Sequence, residues 1–217
     1  MRLALFALLL AACAEDVAKD KAAAVVSEPK KEDSPVVMAN KVAADFVPVA
    51  RTIDPARSSV KALGAKVTGQ HSITFPTFTA TITADRTFVS GLEFSVQVAD
   101  LQTEPEKLVD HLKSPDFFDV AQYPTATFAS TNVVKGEGDA HTVQGNLTLR
   151  GVTKEVSFPA TIAFGADAQV TGHAEFAINR KDFGIVYPGK PDNLIQDNVV
   201  LTVDFVAVVA EPKLLSQ

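Results

Sequence analysis

From residue 58 onward, most of the chain alternates apolar and polar side chains with a period of two, the pattern of a strand that buries one face. Leu92, Phe94, Val96 and Val98 alternate with Glu93, Ser95 and Gln97. In the segment 198–210, Val199, Leu201, Val203, Phe205 and Ala207 share one parity, with Thr202 and Asp204 on the other. The same pattern predicts strands over 58–68, from 125 toward the turn at 136–139, over 143–150, 156–164 and 170–178. His71, Ile73 and Phe75 hold one parity up to Pro76, after which Phe78, Ala80 and Ile82 hold the other. A proline cannot donate to a ladder, so Pro76 marks a bulge or corner, and Pro159, outward in its strand, an edge or bulge. Residues 46–53 read as a lead-in ending at the Asp54-Pro55 turn.

One stretch breaks the alternation. Thr103 and Glu106 have capping-box spacing with Pro105 in the first turn, predicting a helix of about ten residues whose Leu108, Val109 and Leu112 share a face. Ser114 and Pro115 start a second, single turn carrying Asp116, Phe117 and Phe118, and Tyr123-Pro124 ends it. The result is an all-β chain, a barrel or a sandwich of about eight antiparallel strands, with a short helical insertion near 104–120. Between Asp182 and Asn198 lies a loop rich in apolar side chains. Its Ile185, Tyr187 and Leu194 form either a lid over one end or a patch packed on the outer wall.

Composition narrows the function. A net charge of −6 argues against nucleic acid and against a polybasic membrane patch. Hydrophobic residues make up 47% of the chain, and with no Trp the 14 Phe are the main large apolar groups. Cys13 is the one cysteine, so no internal disulfide can form. It follows Arg2 and an apolar run, 3–10, that is too short for a bilayer core of about 30 Å. Leu10-Ala11-Ala12-Cys13 resembles a bacterial lipobox, which makes 1–12 a signal peptide and Cys13 the site of lipid attachment. Ala14 after the cysteine favours export to the outer membrane of the envelope. Residues 14–45 carry 12 charges and no aromatic, and read as a flexible tether.

Enzyme signatures are missing: there is no GxSxG, P-loop, HExxH or CxxC, and His71, His111, His141 and His173 lack metal-site spacing. His111 with Asp110, Asp116 and Asp119 forms either an acid–base cluster or a network tying the helical insertion to the wall. Arg180 is the candidate partner for those carboxylates, or for an anionic headgroup.

Three ordered segments, HLKSPDFFDVAQYPTATF (111–128), GNLTLRGVTKEVSFPATI (145–162) and FAINRKDFGI (176–185), resemble the YceI-like, polyisoprenoid-binding family of bacteria. The resemblance spans about 52–211 and implies a lipocalin-like closed antiparallel barrel over 46–217, behind a tether at 13–45. Alternation alone leaves a packed core and a hollow one both open. The resemblance implies a tunnel for an isoprenoid tail, of quinone or prenyl-phosphate type, lined by Phe75, Phe94, Phe128, Leu147, Leu149, Phe158, Ile162, Phe176, Ile178, Val203 and Phe205. His111, Asp116, Phe117, Phe118 and Arg180 would then sit at the mouth. Such a protein is a binding module with no cofactor; the rivals are an enzyme or redox accessory acting through His111, and a structural lipoprotein with a solid barrel. Many relatives carry an Arg-Asp pair just before the His-Leu, where this chain has Leu108 and Val109, so no role of that pair transfers.

Overall fold

The computed structural model describes residues 15–29 and 48–209. The expected signal peptide, Cys13 and residues 30–45 of the expected tether lie outside them. The strands are β1 (Ala22–Ala23), β2 (Val25–Ser27), β3 (Val49–Ile53), β4 (Ser59–Lys66), β5 (Gly69–Thr74), β6 (Phe78–Ala84), β7 (Val89–Gln97) and β8 (Gln102–Thr103). After helix α1 (Glu106–Lys113) come β9 (Thr125–Lys135), β10 (Ala140–Leu149), β11 (Val152–Phe164), β12 (Val170–Asn179), β13 (Gly189–Lys190), β14 (Asn193–Leu194) and β15 (Asn198–Val209).

Eight antiparallel staves close a barrel: β3 with β4, β5 with β6, β7, β9, β10, β11, β12 and β15, which pairs with β12 on one side and with β3 and β4 on the other. Closure removes the open sheet edges except where β11 and β12 part. The expected lead-in is therefore partly a strand: Ala50 faces Thr83 and Arg51 faces Ile82, because the backbone of β6 needs a partner beyond the Asp54 turn. Pro76 parts β5 from β6, and the parity change across it turns both Phe75 and Phe78 into the core.

The two ends differ. At the end holding the 84–89 and 164–170 turns, Ile82, Ala84, Val89, Val170 and Ala207 are fully buried and fill the space. At the other end α1 lies across the opening with Leu112 buried against Phe75, Val98 and Phe117. The helix is shorter than expected and the capping box does not form. Thr103 Oγ1 donates to Ser72 O at 2.8 Å as part of β8, so sheet pairing takes the hydroxyl and Pro105 stands at the N-cap. Ser114 closes α1, its Oγ donating to His111 O at 2.7 Å, and the single turn through Phe117 follows. Among the described residues no helix is long and apolar enough to cross a membrane.

The tether expectation fails over residues 15–29. β11 and β12 pair directly through only four residue pairs, Thr161 to Phe164 with Val170 to His173, and then part. Pro159, which has no N–H to give, stands just past the point of parting. The N-terminal segment fills the gap: β1 runs parallel to β12, with Ala22 facing Phe176, and β2 antiparallel to β11, with Val26 facing Val156. Ala24 N donates to Ala177 O at 2.8 Å, and Ala24 and Val26 pack on the core. Lys21–Glu175 and Lys154–Glu28, both 2.6 Å, tie down the ends of this strap. As surface ion pairs they are each worth about 0–1 kcal/mol, so backbone pairing and the small Ala and Val side chains do most of the holding.

Candidate functional site

Alternation aims one face of each stave inward, and toward the helical end those faces leave space between them. A cavity of about 450 Å³ remains, within the range of small-molecule sites, and its walls are almost wholly apolar. It is blind at the packed end and reaches the helical end. All eleven residues assigned to the interior by parity and resemblance line it, from Phe75 and Phe94 to Val203 and Phe205. Leu92, Val143 and Val156 also line it; they share the same inward parity, a signal present in the sequence.

Two glycines keep the space open. A Cβ on Gly172 would lie 2.1 Å from Phe205 Cε1, and one on Gly145 would lie 2.5 Å from Phe128 Cζ. Both rings therefore occupy the place where a Cβ would otherwise stand. Phe94 meets Phe205 edge-on, with centroids 6.0 Å apart. Where β11 and β12 part, Phe158 and Phe176 stack at 4.0 Å and 7°, closing the seam from inside while the strap covers it from outside. Gly172→Ala is expected to push the Phe205 ring inward and destabilise the barrel by about 1–3 kcal/mol, read by urea denaturation.

At the mouth, His111 of α1 stands between Phe117 at 4.9 Å and Tyr187 at 5.0 Å, both edge-on. Its Nε2 lies 3.0 Å from Asp116 Oδ2, a pair half open to solvent on the outer side of the plug. Asp116 does not reach the cavity, which His111, Phe117 and Phe118 do. Ile185 and Tyr187 of the 183–196 loop also line it, whereas Leu194 does not and is 51% exposed on the rim.

Arg180 is where expectation and structure part most clearly. It is 4% exposed and pairs with none of the plug carboxylates. Nε donates to Gln196 O at 3.0 Å and Nη1 to Ile185 O at 2.7 Å, while Nη2 reaches Asp197 Oδ1 at 3.1 Å. The guanidinium thus binds both limbs of the 183–196 loop. Burial lowers its pKa from the ordinary value, and the Asp197 carboxylate works against that. Arg150 is a second, unforeseen clamp: it donates to Gly184 O at 2.6 Å and Pro115 O at 2.7 Å, joining loop to plug. Lys66, Lys190 and Asn193 edge the opening and carry no periodic signal that would single them out. Among the described residues no three His, Cys, Asp or Glu side chains converge as a metal site.

A sequence profile for the YceI-like domain matches residues 52–207. The YceI proteins of Salmonella arizonae and Salmonella newport are each 38% identical over 119 residues, covering 52% of this chain and 62% of the relative. Among solved structures, BcnA of Burkholderia cenocepacia superposes with a TM-score of 0.65 at 25% identity, over 72% of this chain and 99% of BcnA. A polyisoprenoid-binding domain from Saccharophagus degradans, implicated in plant cell wall breakdown, superposes at 0.63 with 14% identity, over 75% and 99%. The matched profile runs from within β3 to within β15, and the chain belongs to the YceI-like family.

Proposed function

We propose that this protein is a carrier of a long isoprenoid lipid, of quinone or prenyl-phosphate type, in the bacterial envelope, tethered through an acylated Cys13 to the periplasmic face of the outer membrane. The observation that carries this is the Phe-lined cavity of about 450 Å³, whose walls among the described residues are almost wholly apolar and so offer little to orient a compact polar substrate. A flexible apolar chain is the ligand such walls select. The family supports it, as does the shared fold of a polyisoprenoid-binding domain. The lipobox supports the tether.

The energetics suit a carrier. Burying a tail gains about 0.8 kcal/mol per CH₂ relative to water, which prevents loss into the aqueous space. A bilayer offers the same gain, so the apolar contribution nearly cancels when the tail passes between tunnel and membrane. Contacts at the mouth then decide which way it goes.

Native mass spectrometry of the protein extracted from its own membrane is expected to show one lipid per chain, and its consistent absence would overturn the proposal. Leu147→Trp, which puts an indole into the lumen beside Phe128, is expected to cut lipid occupancy at least tenfold. Because the ring enters existing space, the stability loss should stay below about 2 kcal/mol.

A further inference from the structure

We infer that the rim of the tunnel mouth is a bilayer-docking surface, and that the N-terminal segment holds the barrel mouth-down on the leaflet; this rests on the lipid attachment proposed at Cys13. The strap runs along the seam, and the chain ahead of it returns to the mouth. Val17 N donates to Gln196 Oε1 and Gln196 Nε2 donates to Glu15 O, both at 3.2 Å. Gln196 N in turn donates to Ala65 O at 2.9 Å, beside the opening. Glu15 is therefore pinned at the rim, and Cys13 precedes it by two residues, at most about 7 Å of chain. The acyl chains cannot enter a membrane far from the mouth while that contact holds.

The rim has the chemistry to meet that membrane. Val67 is 51%, Leu194 51% and Val186 62% exposed. Val67 N donates to Leu194 O at 3.1 Å, and Thr68 Oγ1 to Asn193 Oδ1, locking two hairpin tips into one ledge. Lys66 and Lys190 flank the ledge, and neither makes an ion pair among the described residues. Asp192 on the same hairpin offsets part of their charge, so apolar insertion leads and anionic lipid assists. The tunnel opens beside these side chains, so a docked rim would let a tail pass from leaflet to lumen without meeting water.

The absence of Trp from the sequence makes the test direct. Val67→Trp at the rim and Val134→Trp, 49% exposed near the packed end, are each placed in the full acylated chain. Both are reconstituted on vesicles of phosphatidylethanolamine and phosphatidylglycerol containing brominated lipid. The rim indole is expected to shift to shorter wavelength and lose at least half its emission, with the far indole unchanged. Equal emission at both sites, or quenching confined to the far one, overturns the docking orientation. Intact mass reports acylation of Cys13, and native mass spectrometry reports tunnel occupancy, on the same samples. An acylated, lipid-loaded protein without rim quenching defeats the orientation alone; a chain with neither modification nor ligand defeats the carrier proposal beneath it.

Discussion

Phe176→Asp is expected to destabilise the barrel by about 4–5 kcal/mol and to abolish lipid co-purification. Phe176 is 4% exposed, stacks on Phe158 and backs the strap at Ala22. The substitution removes the ring that shuts the seam from inside and puts a carboxyl where the walls offer it no partner. Burial raises that carboxyl's folded-state pKa, so the charge penalty is absent below the unfolded value of about 4 and grows as pH rises above it. Urea midpoints at pH 3.5 and pH 7 are expected to show a markedly smaller deficit at the lower pH. Phe176→Leu keeps an apolar surface and is expected to lose about 1–2 kcal/mol while retaining lipid. If both variants kept their lipid, the ring would have no part in sealing the tunnel.

Arg180→Met is expected to cost about 3–5 kcal/mol, with the damage concentrated in the loop. The methionine keeps much of the stem's volume but strips donors from Gln196 O and Ile185 O and leaves Asp197 without its buried partner. Hydrogen exchange is expected to rise across 183–197 while the packed end keeps its protection. Arg180→Lys should recover little, because one ammonium cannot span both limbs of the loop. Asp197→Asn is expected to lose only about 1 kcal/mol, since that carboxylate is 42% exposed and the guanidinium retains its carbonyls. Unchanged exchange in the Arg180→Met loop would mean that packing of Ile185 and Phe183, not the guanidinium, holds it.

How much of this was legible depended on the range of the interaction. Parity is local, and it identified the cavity walls: strands that alternate must turn one set of side chains inward. Whether those sets touch is not local. The hollow depends on Gly172 lying under Phe205, a contact between residues 33 apart that no window on the sequence contains. Thr103 has the spacing of a helix cap, but Ser72 O competed for its hydroxyl from another strand. Arg180 pairs with Asp197 and not with the nearer-seeming plug acids, because chain reversal at 183–196 brings Asp197 back beside it. The strap was missed for a different reason. Ala14 to Asp45 carries 12 charges and no aromatic, but the six residues 22–27 are AAAVVS, small and strand-compatible, sized for a gap whose existence only the barrel reveals.

That gap bears on how the protein is handled. The conserved-domain boundaries at 52–207 exclude residues 22–27, so a recombinant fragment cut to them would be a cask short of a plank, open along the side behind Phe158 and Phe176. Ligand affinities measured on such a fragment would describe a leaking vessel, because residues 22–27 belong to the container itself.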